Sequence, residues 1–185
     1  MTDKDEVRAV LKRYRLLYAA RDGDRLDEAM ELFVPGDEPE MIGTEAVGRG
    51  DPDWAVGAAD IRMLTEWDWR WWWDVELDAA AARISVSGDV AWASAPGALV
   101  QSDLAREGTR ELARETTIPR LRAELAGADG SLEERLDAVA QLAAARAREL
   151  RAPLGHRRAL TFSAVLVRRA GRWLLHTTHW SIAAE

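Results

Sequence analysis

The sequence contains no cysteine, which excludes a disulfide framework, thiolate nucleophiles and thiolate metal sites. Lysine is almost missing, with Lys4 and Lys12 standing alone, so positive charge rests on arginine. Asp and Glu number 32 against 25 Lys and Arg, a formal net charge of −7. That balance argues against nucleic acid, whose phosphates demand a surplus of cations, and equally against an anionic membrane surface. No apolar run approaches the roughly 20 residues of a membrane span. The amino end, Met1-Thr2-Asp3-Lys4-Asp5-Glu6, is acidic where a secretory signal is basic and then apolar. These absences describe a soluble, cytoplasmic protein, expected to bind neither nucleic acid nor membrane.

What is present fits one globular domain over residues 1–185, with a hydrophobic fraction of 48% and room for a sizeable core. The aromatic complement is lopsided, with nine tryptophans against two tyrosines and two phenylalanines. Asp3 with Glu6 reads as a capping box ahead of a helical stripe, Val7, Val10, Leu11, Tyr14, Leu17 and Tyr18. A second short helix carries Leu26, Ala29, Met30 and Phe33, and a short strand follows within 39–44. A third helix is expected from about Trp54 to Glu66, with Ile61 and Leu64 inward. Trp71, Trp73, Val75 and Leu77 then alternate with Trp72, Asp74, Glu76 and Asp78, the period of a half-buried strand. On that reading Trp72 lies on an acidic face and marks a covered surface.

Ser87-Gly88-Asp89 and Ala170-Gly171 read as hairpin turns, glycine supplying a positive φ. Between the hairpins, residues 103–157 lose strand alternation and become rich in Ala, Arg, Glu and Leu. Ser131 and Glu134 form a second capping box. Leu132, Leu136, Val139, Ala143, Ala147 and Leu150 make an amphipathic stripe, expected to be buried. Pro119 and the stretch from Gly127 to Gly130 divide the segment into at least two helices.

Several short segments resemble the NTF2-like superfamily. The closing run from Leu160 to Ser181 has a strand, a Gly171-Arg172-Trp173 turn, and a last strand ending His179-Trp180-Ser181. Glu31-Leu32-Phe33, Met41-Ile42-Gly43-Thr44-Glu45 and the strand opening at Ser87 to Trp92 fit the same pattern in the same order. The resemblance is greatest to the SnoaL-like, or ketosteroid-isomerase-like, branch, and covers most of residues 3–101 and 158–183. It implies an α+β fold: a cone-shaped roll with N-terminal helices packed into a curved, mainly antiparallel sheet. The helical segment at about 103–157 is then an insert before the last two strands. It also implies a homodimer with a pocket between helix one and the sheet, suited to a small apolar or aromatic molecule. Proton transfer of the isomerase, cyclase or dehydratase type is one use of such a pocket. A non-catalytic dimeric interaction or assembly module with a filled pocket is the alternative.

The resemblance nominates Tyr14, Glu45 and His179 as catalytic candidates. Tyr14 sits where ketosteroid isomerases carry an oxyanion-stabilising tyrosine on helix one, and Glu45 is a displaced counterpart of their strand aspartate. His179 is suited to proton exchange near neutral pH. On strand parity His179 and Ser181 share a face with Trp173, Leu175 and Thr177. The expected pocket is thus formed by Tyr14, Tyr18, Trp71, Trp73, Trp92, His179 and Ser181. His176 and His179 fall on opposite faces of a regular strand, and His156 is the one remaining histidine, so neither a metal nor a cofactor is expected. Gly43 to Gly50 misses a phosphate-binding loop, lacking its lysine and its hydroxyl residue.

Overall fold

The computed structural model describes residues 2–44, 46, 48–51, 53–126 and 131–182. They fall into two compact units: Met1–Arg70, Asp74–Leu99 and Arg157–Glu185 form the first, Trp71–Trp73 and Val100–His156 the second.

Helix α1 (Asp3–Ala20) starts one residue before the sequence pattern suggests. Thr2 is the cap: its hydroxyl accepts from the Asp5 amide at 3.3 Å, and Asp5 Oδ2 accepts from the Thr2 amide at 2.9 Å. The expected stripe is the buried one. Val7, Leu11, Tyr14 and Leu17 are fully buried and Tyr18 nearly so, while Val10 is half-buried at the edge. The helix stops at Arg21, which takes the left-handed conformation with φ 50° and returns its amide to Leu17 O. A single 3-10 turn and the short α2 (Leu26–Met30) follow.

Strands β1 (Glu40–Ile42) and β2 (Trp54–Val56) pair antiparallel. Trp54 therefore opens a strand instead of the third helix. That helix, α3 (Ala58–Trp71), starts four residues later and runs five residues further than its expected end at Glu66. Consequently β3 is confined to Asp74–Leu77, and Trp71, Trp72 and Trp73 precede it. Alternation of Trp with acidic residues mimicked a strand, but the same residues also satisfy a helical end followed by a bend. Trp72 thus does not stand on an acidic strand face.

Strands β4 (Arg83–Ser87) and β5 (Val90–Val100) form the expected hairpin, Ser87 opposite Val90 with Gly88 at φ 57°. Strands β6 (Arg157–Arg169) and β7 (Arg172–Ile182) form the closing hairpin. There Ala170 and Gly171 both have positive φ, 48° and 76°, the two-residue turn whose twist matches paired strands. The sheet order is β2-β1-β7-β6-β5-β3, with β4 also on β5. Of the described strand pairings β1 with β7 is parallel and the others antiparallel, and an isolated bridge of Phe33 with Leu175 is also parallel. The class is α+β, a curved sheet with N-terminal helices.

The second unit is helical. In α4 (Asp103–Leu112), Ser102 caps the first turn by accepting from the Ala105 amide at 3.0 Å. A π-turn over Ala113–Thr117 leads into α5 (Ile118–Ala126). Gly127 to Gly130 lie outside the described residues, whereas Pro119 stands at the junction of α4 and α5. It sits in the first turn of α5, directly after a widened turn that accommodates its missing N–H. Helix α6 (Leu132–Arg151) starts at the expected capping box, Ser131 Oγ accepting from the Glu134 amide at 3.2 Å. The stripe on α6 is not buried, however. Leu132 is 62% exposed and Leu136 49%, and no described α6 side chain is buried. The periodicity that predicts an amphipathic helix is present, but among the described residues α4 and α5 cover the stripe only in part, leaving Val139, Ala147 and Leu150 half-buried.

Gly97 lies where β5 runs closest beside its neighbour β3. A Cβ there would lie 2.6 Å from Glu76 O, and the neighbouring Pro96 carbonyl accepts from the Asp78 amide. Backbone cannot yield as a side chain can, so Gly97→Ala should lower stability by about 1–3 kcal/mol, measurable as an earlier urea midpoint at unchanged slope.

Candidate functional site

The inner face of the β6–β7 hairpin is set by one irregularity. Val165 pairs with Thr177 but Leu166 pairs with Leu175, so His176 is an extra residue on β7. A bulge of this kind reverses the alternation of side chains beyond it. Before the bulge Trp173 and Leu175 are buried; after it Thr178 and Trp180 are. Opposite them Phe162, Ala164 and Leu166 complete the face. This corrects the simple parity reading. His179 is exposed and Ser181 only half-buried, both out of phase with the residues that line the interior.

Against that face lies the end of α1. Tyr14 and Tyr18 are 4.8 Å apart between ring centroids. Trp180 lies 6.0 Å from Tyr14 and 5.6 Å from Tyr18, and Phe162 4.5 Å from Trp180. Phe33 meets Tyr14 edge-on, as Trp69 meets Tyr18. These separations are those of favourable aromatic pairs. The rings pack the space between helix and sheet.

Two tyrosines bring hydroxyls into this interior, and α3 answers with a carboxyl group. Ile61, Thr65, Asp68 and Trp69 are the buried positions of α3, spaced as one helical face. Tyr18 OH donates to Asp68 Oδ2 at 3.2 Å and lies 3.8 Å from Met41 Sδ of β1. Burial is the main cause that pushes the Asp68 carboxyl up to about 8, with the charge of Asp53 adding to it. The Tyr18 bond and the positive charge of Arg21 oppose the shift. At neutral pH Asp68 is therefore mostly protonated, an acid that can donate as well as accept. Both tyrosines are pushed up by burial as well, so they stay phenols across the physiological range. Tyr14 OH is buried beside Tyr18 and Trp180 without a well-formed hydrogen bond. Thr178 Oγ1 on β7 is fully buried and also lacks one.

The expected site residues separate into groups. Tyr14 and Tyr18 stand together at the centre. Trp92, expected in the wall, is 51% exposed, because Ala91, Ala93 and Ala95 are the β5 residues that turn inward. Trp71 and Trp73 belong to the second unit, where the Trp73 ring meets His156 edge-on at 6.0 Å. Glu45 lies outside the described residues. Asp68 was missed, because it fell between the expected end of the third helix at Glu66 and the expected strand from Trp71. Its signal was available: an acid at the i+7 position from Ile61, on the helical face that also carries Thr65 and, one residue on, Trp69. No group of residues suited to a metal ion occurs among the described residues. A groove of about 440 Å³ lies on the half-buried side of α1, lined by Val10, Arg13, Leu32, Arg172, Trp173 and Leu174 among others. It does not include Tyr14, Tyr18 or Asp68.

A helix laid on the inner face of a curved sheet closed by a long bulged hairpin defines the NTF2-like, or cystatin-like, fold. Among solved structures, an NTF2-like protein with a cystatin-like fold from Novosphingobium aromaticivorans is 14% identical, covers 97% of this chain and 81% of its own, and superposes with a TM-score of 0.56. A candidate dehydratase of the NTF2-like family from Streptomyces avermitilis is 11% identical over 99% of this chain and 97% of its own, with a TM-score of 0.59. A candidate calcium/calmodulin-dependent protein kinase type II association domain from Thiobacillus denitrificans is 13% identical over 95% and 94%, with a TM-score of 0.54. No family model matches the sequence, and no curated protein matches it significantly. Likeness at these identities establishes the fold alone.

The buried acid has a pH signature. A carboxyl whose folded value is raised above its unfolded one binds more protons when folded. It therefore opposes folding increasingly as pH climbs from about 4 to about 8, and by a constant amount above that. The full effect is on the order of 5 kcal/mol. Asp68→Asn keeps the acceptor for Tyr18 and cannot ionise. Its melting temperature should fall less than that of the wild type between pH 5 and pH 9, and differential scanning calorimetry across that range measures the gap.

Proposed function

We propose that this chain binds a small apolar or aromatic molecule between α1 and the sheet, with the Tyr18–Asp68 pair as its polar contact and Tyr14 beside it. The observation that carries this reading is the buried Asp68 carboxyl group hydrogen-bonded to Tyr18. Stability alone would be better served by an apolar side chain at that position. A neutral acid with a value near 8 can lend a proton to a carbonyl or leaving oxygen and take one back. That suits proton transfer of the isomerase, cyclase or dehydratase type, as in a SnoaL-like protein. Because the rings of Tyr14, Phe162 and Trp180 are in mutual contact, a guest has to part them. Binding should then be slower than diffusion and should disturb tryptophan fluorescence directly.

Thermal shift and fluorescence titration with a panel of phenols, naphthols and small polycyclic ketones test the proposal. A ligand that fits should raise the melting temperature, and Asp68→Asn or Tyr18→Phe should weaken it by about tenfold, the usual scale of one hydrogen bond to such a group. A panel that shifts neither signal rejects the reading.

The same close packing favours the second reading, a homodimeric interaction module with a filled interior. Its specific support is on the outer side of the sheet, where Trp92, Val90 and Val165 are 51%, 39% and 37% exposed. Exposed aromatic and branched side chains on one sheet suit a partner surface. Sedimentation at micromolar concentration should give twice the 20.6 kDa chain mass, and Trp92→Glu should return it to one. A monomeric wild type would remove this reading.

A further inference from the structure

Arg21 stands at the junction of the two helices that build the site. It is the residue that ends α1 in the left-handed conformation, a position where glycine is usual. Its side chain, only 5% exposed, points to the end of α3. Arg21 Nε donates to Trp69 O at 2.8 Å, Nη2 to Asp68 O at 2.9 Å, and Nη1 to Asp74 Oδ1 at 2.7 Å. The two carbonyls belong to the last turn of α3. A cation there also meets the negative end of the helix dipole. One guanidinium thus ties the end of α1, the last turn of α3 and the first residue of β3.

We propose that Arg21 is the positioning residue of the buried Tyr18–Asp68 pair, fixing the turn of α3 that carries Asp68 and setting its charge beside it. This rests on the reading of Asp68 as the polar contact of the site. The geometry is that of a fork: three donors in one plane meet two backbone carbonyls and one carboxylate, a set that an ammonium cannot reproduce. Among the described residues, the titratable and charged groups acting on Asp68 include Tyr14 and Tyr18 from α1, Asp53 from the segment before β2, and Arg21 itself. Of these Arg21 and the Tyr18 hydrogen bond favour the ionised carboxylate, whereas Asp53 disfavours it. Asp74, 37% exposed, tempers the field of Arg21 from the other side. The arrangement gives two substitutions opposite effects on the same proton.

The test is a ¹³C NMR titration of the Asp68 carboxyl carbon in ligand-free protein, assigned by its loss in Asp68→Asn. Arg21→Gln should raise the midpoint by about one pH unit, and Arg21→Lys, which keeps the charge but not the fork, should fall between it and the wild type. Asp74→Asn should lower the midpoint by about half a unit, since it leaves Arg21 less neutralised. A role confined to stability would lower the melting temperature and leave the midpoint in place. If Arg21→Gln does not fold, Asp74→Asn decides: a downward shift supports the inference, and no shift or an upward one overturns it. A raised wild-type midpoint that none of the substitutions moves overturns the inference alone. A wild-type midpoint near 4 removes the reading of Asp68 on which it rests.

Discussion

Two tyrosine hydroxyls on the buried face of α1 need polar company inside a sheet lined with Leu, Phe and Trp, and that need organises the first unit. A buried hydroxyl without a partner costs about 1–3 kcal/mol. Tyr18 meets the cost by donating to Asp68, which in turn places a carboxyl group where an ionised one could not be tolerated cheaply. The acid stays protonated, α3 has to present its 61–65–68 face to α1, and the end of α3 has to be held to the end of α1. Each requirement follows from the one before. A phenylalanine at position 18 would release the whole chain of constraints.

The sequence was informative where a single period decides. The α1 stripe, both hairpin turns, the capping box at Ser131 and the strands of the closing hairpin follow from spacing and turn chemistry. The curved sheet with N-terminal helices follows from their order. Legibility failed where two periods compete or where one residue breaks the count. Around Trp67 to Trp73 tryptophans occur so densely that helical and strand patterns both fit, and the helix prevails through Trp71. In β7 nothing local in Leu174 to Thr178 announces that His176 is the extra residue. Parity carried forward from Trp173 therefore put His179 inside and Trp180 outside, the reverse of the arrangement found.

The same distinction explains the site. Tyr14 and Tyr18 were legible because they lie on an uninterrupted helical stripe. Trp92 was misplaced because aromatic character suggested an interior position, whereas the alternation of Ala91, Ala93 and Ala95 assigns the interior to small side chains. Small residues on the inner face of β5 leave room for the larger rings of α1 and β7, which is a packing fact about three elements and not a property of one. Asp68 needed tertiary information of the same sort. Only when α3 is laid beside α1 does an isolated acid become the partner of a phenol. In the helical unit the Ser131 cap was readable for the opposite reason, since it involves residues three apart in one chain segment. Burial of the α6 stripe was not, because periodicity specifies a face and says nothing of what covers it.

The two functional readings differ in what they ask of the aromatic cluster. An assembly module asks for rigidity, and the contacts among Tyr14, Phe162 and Trp180 supply it. A binding or proton-transfer site asks that those rings part, and that a polar group be waiting behind them at a proton affinity near neutrality. Rigidity alone gives no reason for Asp68. An asparagine would accept from Tyr18 without any tendency to ionise, and a leucine with phenylalanine opposite would need no hydrogen bond at all. The carboxyl group makes the folded state less stable as pH rises through the physiological range. On the proposed reading, an interior that keeps such a group, supports it with a tyrosine and flanks it with an arginine serves a proton. Exposed Trp92 on the far side of the sheet concerns a different surface, so dimerisation there and chemistry at Asp68 are compatible within one chain.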